Sequence, residues 1–183
     1  MPQKLNNAEA RLMEQGRAFL LSNRDGSLGK FNLRELTAQC GMALGTYYRY
    51  FESKDDLVIR IMCEDWDRVV AAVRGAAGMN GSLRDKLKLI YEKITEFDGN
   101  YRYSAMGFLC SSDENMALRK KNEDMMYAAV EDFIRAETSA GELTISAKPE
   151  VAAYLLVQLL LAAGRRPEIG FDELWKCLNY DKA

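Results

Sequence analysis

Residues 31–57 read FNLRELTAQCGMALGTYYRYFESKDDL, and the spacing inside this stretch decides how the rest of the chain is read. Asn32, with Glu35 three residues later, opens a helix, because an Asn side chain at the cap accepts from an otherwise orphaned N–H. Leu33, Leu36 and Cys40 give that helix a buried side. Gly41 breaks it, since a residue without Cβ enters left-handed geometry at little cost. A second short helix, Leu44 to Phe51, follows almost at once. Ser53 then caps a longer one, with Asp55 and Asp56 in the first turn, where the helix dipole favours negative charge. Two short helices joined by a glycine turn make a helix-turn-helix, placed here over residues 33–50. Thr46, Tyr48, Arg49 and Tyr50 on the second helix can all donate hydrogen bonds to phosphate or base. Lys54 opens the next helix, where an ammonium and free backbone N–H groups can share one phosphate.

Helical spacing continues on both sides of this stretch. Upstream, Asn6 with Glu9 resembles a capping box, and Leu12, Met13, Gly16, Phe19 and Leu20 form an apolar stripe ending at the turn formers 22–26. Downstream, the helix from Ser53 runs to the glycines at 75 and 78. Another begins at Gly81-Ser82 and carries Leu83, Leu87, Ile90, Ile94 and Phe97. Asp98-Gly99-Asn100 predicts a turn, and Tyr101 to Cys110 a separate aromatic helix. A long helix spans about Asp113 to Thr138, Pro149 starts one reaching Ala163, and Phe171 to Asn179 closes the chain. The expected fold is all-α with about nine helices. Residues 1–52 form the helix-turn-helix domain, and 53–183 a helical ligand-binding and dimerisation domain.

Composition narrows the function. The 183 residues are 48% hydrophobic and 28% charged, ordinary values for a globular protein, and only 3 are proline. With 0 histidines, the commonest general base and metal ligand are missing, so no catalytic site, metal or cofactor is expected. The 4 cysteines are scattered without a CxxC pair and read as thiols of a reducing compartment. The N-terminus lacks a signal-peptide core, and the longest apolar run, from Val151 to Ala163, falls short of the roughly 20 residues a membrane span needs. A cytoplasmic protein without a membrane partner is expected. The net charge of −2 divides unevenly: residues 1–60 carry 9 Lys+Arg against 7 Asp+Glu, and the remainder 16 against 20. A mildly basic front suits a protein that turns one end towards DNA.

The quoted stretch closely resembles the N-terminal domain of the TetR family of repressors. Carrying the resemblance are Phe31-Asn32-Leu33-Arg34-Glu35-Leu36, Cys40-Gly41-Met42, Gly45-Thr46-Tyr47-Tyr48-Arg49-Tyr50-Phe51 and Ser53-Lys54-Asp55-Asp56-Leu57. It covers about residues 8–60. The resemblance implies that Arg34 reaches into the major groove, that Leu44 and Gly45 approach bases, and that Thr46, Tyr48, Tyr50 and Lys54 hold phosphates. It implies too that Tyr47 and Phe51 seat the recognition helix. Two positions depart from the family pattern. Ala43 stands where Ser or Thr usually caps the recognition helix, a loss of about 1 kcal/mol. Leu44, at an often polar position, offers only apolar contact, such as with a thymine methyl.

By the same resemblance, the later helices enclose a small-molecule site and the last two pair with a second copy. Trp66, Val69, Tyr91, Ile94, Tyr101, Tyr103, Met106, Phe108, Met125 and Met126 are the aromatic and methionine candidates for an apolar effector, although such a set more often fills a core. The helix from Pro149 is apolar nearly all round and must be covered on two sides. A homodimer face is therefore expected on Tyr154, Leu155, Gln158, Leu159 and Ala162, with Leu174, Trp175 and Leu178 of the last helix. The expected function is a ligand-responsive regulator, a repressor in the family's usual sense, that binds a double-stranded DNA operator. The rival is a helical protein-interaction adaptor; an enzyme finds no nucleophile elbow, phosphate loop or metal cluster to support it.

Overall fold

The computed structural model describes residues 3–22, 31–108, 112–166 and 168–178, with side chains from residue 7 in the first helix and up to residue 101 in the fifth. Eight helices and no strand occur among these residues. They are α1 (Gln3–Ser22), α2 (Leu33–Gln39), α3 (Leu44–Tyr47), α4 (Lys54–Ala76), α5 (Leu83–Phe108), α6 (Asp113–Ser139), α7 (Pro149–Gly164) and α8 (Phe171–Leu178). The all-α expectation holds.

Three boundaries differ from the sequence reading. First, α1 begins at Gln3 rather than after an Asn6 cap, because Gln3, Lys4 and Leu5 are themselves good helix formers. Its end at Ser22 agrees, while the turn formers 23–26 lie outside the described residues. Second, α3 is a single turn followed by hydrogen-bonded turns to Tyr50, not a helix to Phe51. Third, no turn interrupts 98–100, so α5 is one helix of 26 residues and the count is eight rather than nine. Tertiary partners hold the turn formers helical. The Arg165 guanidinium donates to both Asp98 carboxylate oxygens at 2.8 and 3.2 Å, and Phe97 meets the Trp66 ring edge-on at 4.8 Å.

The chain divides into two compact units. One holds residues 1–65 and 100–116, the other 66–99 and 117–183, so α4, α5 and α6 each contribute to both. In the first unit Leu12, Leu20, Phe31, Leu36, Tyr47, Phe51, Leu57, Val58 and Ile61 are buried. A Cβ on Gly16 would lie 2.9 Å from Ile61 Cδ1 and 3.2 Å from Leu57 Cδ2, so glycine sets the close approach of α1 to α4. A polar cluster joins three helices of this unit. Arg17 of α1 donates to Asp65 at 2.8 Å and pairs with Glu64 of α4, and the Tyr101 hydroxyl of α5 donates to the other Asp65 oxygen.

In the second unit Val69, Val70, Val73, Ile90, Ile94, Met126, Val130, Phe133, Val157 and Leu160 form one core that includes Phe171 and Leu174. Inside it Lys86 and Glu137 make a buried ion pair at 2.8 Å, and Lys86 also donates to the Ala77 carbonyl. Ser82 and Asp85 complete a reciprocal cap at the start of α5: the hydroxyl accepts from Asp85 N–H, and the carboxylate accepts from Ser82 N–H. The last residue of α7, Gly164, sits so close to Thr95 that a Cβ would lie 2.2 Å from its Cγ2.

Candidate nucleic-acid interface

The candidate interface comprises α2, α3 and the start of α4. Asn32 caps α2, its Oδ1 accepting from Arg34 N–H at 3.0 Å. Thr37 is buried and donates to the Leu33 carbonyl at 2.9 Å, which satisfies its hydroxyl within the helix. At the other end Gly41 has φ +64°, its N–H reaching Ala38 O at 2.9 Å while Met42 N–H reaches Thr37 O at 2.8 Å. Those two bonds are a Schellman closure, and they fix the direction in which α3 leaves. Ala43 is extended and provides no side-chain cap, as its identity requires.

One side of α3 is buried and the other open. Tyr47 is fully buried, packs on Phe51 at 5.3 Å between ring centres, and donates its hydroxyl to Ser53 O at 2.7 Å. Burial, then the nearby Asp56 carboxylate, pushes the Tyr47 phenol well above its ordinary range, so it stays a donor. Sequence reading assigned Tyr47 a packing role; its bond to the residue capping α4 was not legible, because it depends on how the chain folds back. Phe51 is buried too, with the Arg60 guanidinium 5.2 Å above its ring.

On the open side, Tyr48 is 56% exposed, a high value for so large a ring, and Gly45 and Arg49 are exposed. Leu44, Thr46, Tyr50 and Lys54 are half-buried, and Arg34 of α2 is exposed. Arg34 and Arg49 make no ion pair among the described residues. At the start of α4 the Ser53 hydroxyl accepts from Asp56 N–H at 3.1 Å, and the Asp56 carboxylate accepts from Glu52 N–H at 3.0 Å. Asp56 also holds Arg60 at 2.8 Å. These bonds occupy part of the backbone donor set at the start of α4, whose first residue is Lys54.

Six of the described effector candidates, Trp66, Val69, Tyr91, Ile94, Met125 and Met126, lie in or against the core of the second unit. Val69, Ile94 and Met126 are packed inside the second unit's core, the bland outcome for such residues. Trp66 donates its indole N–H to Asn122 O at 2.9 Å, and the Tyr91 hydroxyl donates to Ile169 O at 3.3 Å. Tyr101 belongs to the first unit and is spent on Asp65. The side chains of Tyr103, Met106 and Phe108 lie outside the described residues. Met125 is half-buried and borders an open groove of about 490 Å³ with Arg74, Ala117, Lys120, Lys121, Asp124 and Ala128.

Along α7, Tyr154, Leu155 and Leu159 are 51, 57 and 40% exposed, and Gln158 and Ala162 are exposed beside them. Val151, absent from the expected set, continues the same face at 45%. On α8, Leu178 is exposed and Trp175 half-buried against Phe171. Leu174 is only 2% exposed and belongs to the chain's own core rather than to that outer face, because its position in α8 turns inward with Phe171. Cys40 is a buried thiol that donates to Arg11 O, and burial pushes its pKa up, the opposite of an activated thiolate. Among the described residues no group of three candidate ligands could hold a metal, and no helix is long and apolar enough to cross a membrane.

No family model and no curated protein matches the sequence. Solved structures do. A transcriptional regulator of the TetR/AcrR family from Thermobifida fusca superposes with a TM-score of 0.72 at 18% identity, over 97% of this chain and all of its own. FadR of Bacillus subtilis, a transcriptional regulator solved with stearoyl-CoA, gives 0.62 at 15% identity, over 94% of this chain and 90% of its own. The superantigen PfiT gives 0.69 at 15%, over 93% of both chains. At identities of 15–18% these likenesses establish architecture, and the third shows that the architecture serves more than one purpose. The chain has the fold of the TetR/AcrR-family transcriptional regulators.

Proposed function

We propose that the protein is a DNA-binding transcriptional regulator that grips a two-fold operator as a homodimer and is released by a small, largely apolar effector. The observation that carries this is α3 itself: Tyr47 and Phe51 bury one side while Tyr48, Arg49 and neighbouring Arg34 are exposed, with Thr46 and Lys54 half-buried beside them. Arg34 is the residue for base readout; Thr46, Tyr48, Tyr50 and Lys54 are residues for phosphates, and Leu44 and Gly45 lie against the bases.

A dimer supplies the second recognition helix, spaced about 34–36 Å from the first for successive major grooves. The exposed apolar face of α7 is the surface proposed for it, with Leu178 and Trp175 at its edge. An effector bound among the second unit's helices would alter the spacing of the two heads, and a coupling of about 1–3 kcal/mol would change operator affinity roughly 5- to 150-fold. Footprinting on DNA flanking the protein's own gene tests the proposal: protection of a two-fold site is expected, and uniform, sequence-blind protection would count against it. The alternative, a helical adaptor that binds protein instead, draws its support from a superantigen sharing the fold.

A further inference from the structure

The open groove on the second unit has a chemistry that differs from the aromatic set expected to take the effector. Its floor is apolar: Ala117, Met125 and Ala128 of α6 lie at positions i, i+8 and i+11, on one face of the helix. The two alanines are exposed, and their short side chains leave the space that longer residues at those positions would fill. The rim is basic. Lys120 and Lys121 come from the same helix and Arg74 from the last turn of α4. None of the three pairs with a carboxylate among the described residues, whereas Arg119, one residue away, is bound to Glu123 at 2.8 Å. Asp124 is the single carboxylate lining the groove, so three cations face one anion.

We propose that this groove binds a small amphipathic anion, with its acidic head between Lys120, Lys121 and Arg74 and its apolar part on Ala117, Met125 and Ala128. The groove is open to solvent and its volume of about 490 Å³ leaves room for a small ligand laid along it. Lysine and arginine stems extend the apolar floor towards the rim while their charged ends stay in water, an arrangement suited to a ligand with one charged end. A neutral apolar molecule would leave the cations unused, and a cation would be repelled. The inference does not rest on DNA binding, and its test needs none.

The probe is decanoate below its micellar range, titrated calorimetrically into the full chain, with decanol and decylamine as controls. Decanoate is expected to bind, decanol more weakly and decylamine least. In the Lys120→Gln/Lys121→Gln variant the dissociation constant for decanoate should rise about three- to tenfold, the scale of two exposed charge pairs. Raising salt from about 0.05 to 0.5 M should weaken binding to the original chain in the same direction. Ala128→Phe, at an exposed position that leaves the core untouched, should weaken decanoate by filling the floor. Decanol binding as tightly as decanoate would overturn the proposal. So would decanoate binding that neither variant changes, which would locate the ligand elsewhere in the chain.

Discussion

Tyr47 shows how much one side chain does here. Its ring fills the space beneath α3, and its hydroxyl ties α3 to Ser53 at the start of α4. Tyr47→Phe keeps the ring and loses the bond, so urea unfolding should report a loss of about 1 kcal/mol. The same group sets an alkaline limit. In the unfolded chain the phenol ionises near its ordinary value of 10.0, while burial holds the proton in the folded state to higher pH. The folded state then binds more protons above that value, so stability is full below pH 10 and falls as pH rises past it. Tyr101 acts in the same sense. Unfolding midpoints compared at pH 9 and 11 should drop, and drop less in Tyr47→Phe. Gly164 is a second instance. Sequence reading ends α7 at Ala163, one residue short of Gly164, whose contact with Thr95 cannot be read from one helix alone. Gly164→Ala should cost about 1–3 kcal/mol in thermal or urea unfolding, because the new methyl meets a β-branched side chain 2.2 Å away.

Individual helices differ in how openly the sequence declares them. Those with side-chain caps were legible: Asn32 starts α2, Ser53 starts α4 and Ser82 starts α5, each bonding to a backbone N–H in the following turn. Gly41 closes α2 with the positive φ that its identity suggested. The failure at 98–100 has a physical source. Asp, Gly and Asn favour a turn locally, but Arg165 lies 67 residues away, and its bidentate hold on Asp98 favours continuing the helix. That bridge is half exposed at the arginine and is worth only about 0.2–1 kcal/mol, so the burial of Ile94 and Tyr101 on either side must carry the rest. The face of α7 belongs to this scale too. If it joins two copies, Leu155→Glu/Leu159→Glu places four charges in the interface, and sedimentation should show monomers where the original chain gives dimers. Dimers that persist in the variant would move the interface elsewhere.

At the scale of the whole molecule, the fold class and the helix-turn-helix could be read from residues 31–57 because caps, glycine turn and apolar spacing all act over short distances. The division into compact units could not, since residues 100–116 join the first unit only through long-range packing. Nor could the fate of the aromatic set: whether Ile94 or Met126 lines a cavity or fills a core depends on which helices surround it. The two units share α4, which carries Lys54 at its start and the core residue Val69 in its later turns. The central claim is that Lys54 and its neighbours hold phosphate while Arg34 reads sequence. Fluorescence anisotropy with a labelled duplex from beside the gene, repeated across salt concentrations, tests it most directly. Binding to the duplex should be sequence-selective and salt-sensitive. Lys54→Ala should weaken binding to all sequences alike and lower the salt slope by about one, while Arg34→Ala should cost about 1–3 kcal/mol and relax selectivity. A duplex bound without selectivity, or a salt slope that Lys54→Ala leaves unchanged, would contradict the account.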